Sequence, residues 1–157
     1  MRMDQLTTKF QLALADAQSI AIDRDHQFIE PTHVLLALLD GEGSAIPNLL
    51  VRAEVHLEVL QGELDRILHE LPAVSGIVGD RRISATLDRV LNRALKLARK
   101  RHHKYISSEL FLLAMMLDGK DSAESLKKSG VTQRSLEASI AAICGTCLLY
   151  TSDAADE

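Results

Sequence analysis

Few residues in this chain have the type and spacing to do chemistry. Cys144 and Cys147 stand at the spacing of a C-x-x-C motif, which can run thiol–disulfide exchange or supply half of a zinc site. No strand-like segment precedes them, and no second cysteine pair or histidine follows in sequence to complete four ligands. The six histidines, His26, His33, His56, His69, His102 and His103, include no i,i+3 or i,i+4 pair, the spacing by which a helix aims two imidazoles at one metal. They are expected on the surface or half-buried. No glycine starts a G-x-x-x-x-G-K-[ST] run, so ATP phosphates are not cradled here by that device. The cationic run Arg99-Lys100-Arg101-His102-His103-Lys104 falls at the C-terminal end of an expected helix, where each cation complements the carbonyl end of the dipole by about 0.3–1 kcal/mol. Without interleaved aromatics beyond Tyr105, a solvated cap fits that run better than a nucleic-acid patch.

With so little reactive chemistry, interest shifts to the elements that would shape a surface. The chain has 157 residues, 46% hydrophobic and 25% charged, too apolar for a disordered polymer and the right length for one domain. The 18 Lys and Arg against 22 Asp and Glu give a net charge of −4, without the basic excess that would favour nucleic acid or an anionic membrane overall. The longest uncharged apolar runs, Val34–Leu39 and Leu110–Leu117, are far below the roughly 18 residues of a membrane span. A soluble, cytoplasmic protein is expected.

Helical spacing runs through the chain. Leu6, Phe10, Leu14, Ala17 and Ala21 share one helix face, with Thr8 and Gln11 as a candidate capping box. Pro31 and Gly41 bracket a short, apolar helix. Further helices are expected around 45–52 and 56–70. After an exposed connection over residues 72–82, rich in Pro and Gly, helices are expected from Ser84 to about Arg101 and from Ser107 to Leu117. A short one should start at an Asp121/Glu124 capping box, and the last at Thr132. No segment alternates as a strand would. The halves match at an offset of 77 positions, with Phe10 on Leu87, Leu14 on Leu91, Ala17 on Ala94, Ala21 on Ala98 and Phe28-Ile29 on Tyr105-Ile106. An all-α fold of two tandem four-helix repeats with pseudo-twofold symmetry follows, repeat one over 4–71 and repeat two over 83–143. Two copies are too few for a solenoid, and the groove where equivalent helices meet is the expected place for a partner's segment. Residues 144–157 break the periodicity and resemble a translated sequencing adapter, so they are set apart from the 1–143 domain.

With this tandem, the phrases Phe28-Ile29-Glu30-Pro31-Thr32-His33-Val34-Leu35-Leu36-Ala37-Leu38-Leu39 and Tyr105-Ile106-Ser107-Ser108-Glu109-Leu110-Phe111-Leu112-Leu113-Ala114, and the opening Leu6-Thr7-Thr8-Lys9-Phe10-Gln11-Leu12-Ala13-Leu14-Ala15-Asp16-Ala17-Gln18, the chain resembles the Clp repeat N-terminal domain from Met1 to about Ile143. It is most similar to the disaggregase branch of that family. The resemblance implies a non-catalytic, monomeric domain on a mobile linker ahead of two AAA+ modules of a homohexamer, where ATP and magnesium would act. Such a domain captures exposed hydrophobic stretches of unfolded or aggregated polypeptides or, in the protease-associated branch, docks an adaptor. Thr7 and Glu109 match positions associated with substrate handling. At His103 an imidazole replaces the expected acidic residue. Leu97 and Leu110 match the apolar groove, while Arg93, one turn before Leu97, departs from it and is expected to shift preference toward segments carrying acidic residues. Leu91, Leu97, Leu110 and Phe111 are also core candidates by their spacing. The expected binding set is Thr7, Leu91, Arg93, Leu97, His103, Glu109 and Leu110, with no cofactor or metal in this chain. The enzyme alternative rests on Cys144 and Cys147 alone.

Overall fold

The computed structural model describes residues 3–41 and 44–147. Eight helices are formed among them: α1 (Thr8–Asp23), α2 (Pro31–Asp40), α3 (Ile46–Arg52), α4 (Leu57–Glu70), α5 (Ala85–Lys100), α6 (Ser108–Asp118), α7 (Asp121–Lys128) and α8 (Gln133–Cys147). For α1 and α5 the residues that start and stop the helix recur 77 positions apart. Thr7 and Ser84 are extended N-caps whose hydroxyls accept the N–H of Phe10 and Leu87, satisfying amides that a helix start leaves without a partner. At the other ends Asp25 and His102 take left-handed backbone, φ 58 and 59, and the following residues close back identically. His26 N–H donates to the Ala21 carbonyl and His103 N–H to that of Ala98, both at 2.8 Å.

Two short strands, for which the sequence carries no alternation, also follow this symmetry within the expected all-α fold. β1 (Phe28–Ile29) pairs in parallel with β2 (Arg82–Ile83), Ile29 opposite Ile83, and Leu6 forms a parallel bridge with Ile106. Adding 77 to Leu6 and to Ile29 gives Ile83 and Ile106, so the bridge and the sheet are one contact made twice. In each, the segment before one repeat's first helix is stitched to the segment before the other repeat's second helix: Thr7 N–H to the Ile106 carbonyl at 3.1 Å, Ser84 N–H to that of Ile29 at 3.0 Å. Two-residue strands are too short to show a period in sequence.

The repeats interlock. α1 packs on α2 and α5 on α6 within each repeat, whereas α3 packs on α8 and α4 on α7 across them. Fully buried Phe10 and Phe111, one from each repeat, meet at 4.8 Å between ring centroids with planes tilted by 46°, a geometry worth about 0.5–1.5 kcal/mol beyond the area it hides.

Local details depart from the sequence reading. The α1 cap is Thr7 and not Thr8, which lies inside the helix. At α7 the N-cap is Lys120, φ 51, and Asp121 is the first helical residue, so the Asp121/Glu124 box does not form. Thr132 and Ser135 do cap α8 reciprocally, each backbone N–H donating to the other's hydroxyl at 3.0 Å. α8 continues to Cys147, past the expected end of periodicity. The side chains of Cys144 and Cys147 lie outside the described residues, as do residues 148–157 with most of the proposed tail.

The largest departure concerns histidine. His33 is fully buried and His26 is 4% exposed, their nearer ring nitrogens 2.8 Å apart. The Glu30 N–H donates to His33 Nδ1 at 2.8 Å, which leaves the His33 proton on Nε2 to be donated to His26 Nδ1. His26 in turn hydrogen-bonds the Leu68 backbone. Each imidazole is thereby satisfied only while neutral. Burial first, then the charge of the neighbouring imidazole and Arg24, push the His33 pKa down to about 4. Burial, then Arg24, lower that of His26.

Candidate functional site

A depression of about 610 Å³ opens where α1, the end of α2 and the starts of α3 and α6 converge. Its floor is Ala13, Ala37, Leu38 and Ile46, and Lys9, Asp16 and Glu109 stand on its rim. The sequence explains the hollow. α1 turns Phe10, Ala13, Ala17 and Ala21 inward, so Leu12, nearly opposite Phe10 on the helical wheel, is held outside the core at 62% exposure. Facing alanines at 13 and 37 put no long side chain into the gap. Gly41 follows the last residue of α2, where a Cβ would lie 2.9 Å from the Ala37 carbonyl, so glycine keeps side-chain bulk out of this part of the lining.

A second depression of about 580 Å³ lies along α5, lined by Ala85, Asp88, Arg89, Asn92, Arg93, Lys96 and Asp118. It is polar where the first is apolar. Arg93 is fixed against Asp118, Nε to Oδ2 at 2.7 Å, which raises the already high guanidinium pKa.

The residues expected to bind substrate are thus dispersed. Glu109 lines the first depression. Thr7 caps α1 beside Ile106 and is 1% exposed, acting as structure under the rim. His103 is half-buried; burial and then Arg101 lower its pKa, and the Glu109 carboxylate opposes them. Leu91 and Leu110 are core residues, 1% and 2% exposed, and Leu97 is half-buried against the same core. Arg93 belongs to the second depression. The expected set therefore does not form one groove, and the apolar hollow draws on Leu12, Ala13, Leu38 and Ile46 instead. The signal for it was Leu12, a large apolar residue off the inward face of α1. Among the described residues no group of three His, Cys, Asp or Glu could hold a metal, and no helix is long and apolar enough to cross a membrane.

Comparison with known proteins gives this architecture its relatives. The Clp repeat (R) N-terminal domain matches residues 5–141. Chaperone protein ClpB of Vibrio cholerae is 45% identical over 145 residues, covering 92% of this chain and 17% of that protein. The chain thus spans about a sixth of the length of this curated relative. Among solved structures, the Hsp104 N-terminal domain from Candida albicans superposes with a TM-score of 0.78 at 19% identity, covering 90% of this chain and 92% of that one. A ClpV N-domain, solved in complex with a VipB peptide, does so with a TM-score of 0.67 at 22% identity, covering 87% and 85%. Two interlocked repeats, symmetric caps and the match over residues 5–141 agree: the chain belongs to the Clp repeat N-terminal domain family.

Proposed function

We propose that this domain captures exposed hydrophobic segments of unfolded or aggregated polypeptides for a ClpB-like ATP-dependent chaperone, whose ATPase modules lie outside this chain. The observation that carries the reading is the apolar depression under Leu12, with a floor of short and branched aliphatic residues and a charged rim. At about 25 cal/mol per Å² a Leu-sized side chain buried there gains roughly 1.5–3 kcal/mol, and ordering an extended segment consumes much of that. One copy therefore binds weakly and with little sequence preference. Six copies on a ring would add avidity while each still releases, which suits a module that hands its cargo on.

Titrating the full chain with a permanently unfolded, carboxymethylated model protein tests this. Leu12→Asp changes an exposed side chain, so the fold should survive; its affinity should fall about tenfold, equivalent to about 1.4 kcal/mol. Unchanged affinity in a folded Leu12→Asp variant would remove the depression from the account.

A second reading is docking of a dedicated adaptor, supported by the ClpV N-domain solved with a VipB peptide. The same titration separates the two. Unrelated unfolded sequences that compete at similar affinity favour capture, whereas one partner held at one-to-one stoichiometry and indifferent to those competitors favours the adaptor.

A further inference from the structure

The two depressions overlap in part under the repeat, Leu12, Asp16 and Gly41 of the first becoming Arg89, Arg93 and Asp118 of the second, and the helices that carry them have diverged in charge. Adding 77 to Leu12, Asp16, Ser19 and Asp23 of α1 gives Arg89, Arg93, Lys96 and Lys100 of α5. At 100° per residue these four cations fall within about 60° of one another, in a stripe about 16 Å long. All four are exposed. Arg93 is committed to Asp118, whereas Arg89, Lys96 and Lys100 have no ion-pair partner among the described residues. Residues 81–104 hold nine of the 18 Lys and Arg and one of the 22 Asp and Glu, so this segment carries +8 and the rest of the chain −12. A protein acidic overall has gathered half of its cations on α5 and the residues that flank it.

We infer that the α5 depression is a second docking surface, for a short acidic segment of a partner polypeptide. The size and the surroundings of the stripe select the occupant. Carboxylates on three or four turns of an extended or helical segment can meet Arg89, Lys96 and Lys100 within the stripe, where Coulomb attraction acts inside the roughly 8 Å Debye length of physiological salt. A nucleic acid or an anionic membrane would cover more surface than the stripe supplies, on a chain whose remaining residues carry −12, which disfavours both. No aromatic side chain lines the depression to stack a base. The surface shares no lining residue with the apolar depression, and it does not depend on the capture reading.

The test uses the full chain and a fluorescent twelve-residue peptide in which Glu alternates with Ser, against the same peptide with Gln for Glu and a twelve-nucleotide oligothymidine. The Glu peptide should bind at least about tenfold more tightly than the Gln peptide and lose affinity steeply with added salt. The triple variant Arg89→Glu/Lys96→Glu/Lys100→Glu should abolish that binding with helical circular dichroism unchanged, and Leu12→Asp should leave it intact. Should the triple variant unfold, Lys96→Gln alone is expected to weaken binding two- to fivefold. Equal binding of the Glu and Gln peptides, tighter binding of the oligothymidine, wild-type affinity in a folded charge variant, or loss in Leu12→Asp would each overturn the inference.

Discussion

Helices α1 and α5 are the same element twice, with the same length, the same style of N-cap and the same left-handed exit, yet they present opposite surfaces. α1 shows Leu12 above an apolar hollow, and α5 shows Arg89 at the equivalent position beside a polar one. Their buried faces remain alike, Phe10, Ala17 and Ala21 against Leu87, Ala94 and Ala98, because the shared core constrains volume and polarity there. The outward face is free of that constraint, and it is where duplicate elements diverge in function. The histidine pair makes the same point inside the fold: His26 and His33 correspond to His103 and Leu110, so only the first repeat carries the imidazole chain.

The comparison depends first on the core that holds both helices in register. Phe111→Ala removes a fully buried ring from between the repeats and should cost about 3–5 kcal/mol in chemical denaturation. Both depressions should lose their ligands together. Retention of one would show the repeats to be energetically separate.

Next comes the pH response built into the first repeat. With its pKa held near 4 in the fold, His33 stays neutral where the unfolded chain, at about 6.5, takes up a proton. Its contribution to stability is therefore constant above pH 6.5 and is lost as pH falls from about 6.5 toward 4, by about 3 kcal/mol in total; the lowered pKa of His26 acts in the same direction. His33→Leu, which installs the residue of the second repeat, leaves the Glu30 N–H and His26 Nδ1 without partners. It should cost about 1–3 kcal/mol at neutral pH while flattening the acid limb of the denaturation profile. An acid limb of wild-type steepness in this variant would place the pH response elsewhere.

A smaller effect is expected from Leu12→Arg, which gives α1 the side chain of its counterpart. Affinity for an unfolded polypeptide should drop about tenfold, with stability within about 0.5 kcal/mol of wild type because the position is exposed. Smallest of all, Asp25→Gly and His102→Gly relax left-handed backbone at equivalent helix exits, and each should shift stability by at most about 1 kcal/mol in the favourable direction. A marked loss at either site would mean that its side chain makes contacts beyond the turn.

Much of this was legible in the sequence. The helix starts at Pro31, Ser84, Ser107 and Thr132 and the 77-residue offset all appear in the structure, because caps and helical periods are local signals. The β1–β2 pair and the Leu6–Ile106 bridge were not legible, since a contact of one or two residues leaves no pattern. Nor was the His26–His33 pair: the two rings meet through a turn, with no helix to impose a spacing. The apolar hollow was sought at Leu91, Leu97 and Leu110, yet a leucine that packs the core and one that lines a groove have the same letter and spacing. Leu12, out of phase with its helix, is one of several exposed apolar residues, with Val51 and Val59 among the others, and the packing of α3 and α6 beside it is what sets it over a hollow.

Mapping backbone amide shifts while an unfolded polypeptide is titrated into the intact chain tests the capture site most directly. The account predicts perturbations concentrated at Leu12, Ala13, Leu38, Ile46 and Glu109 and quiet signals around Leu91 and Leu97. Perturbations centred on the α5–α6 face, with Leu12 and Ile46 unmoved, would contradict it.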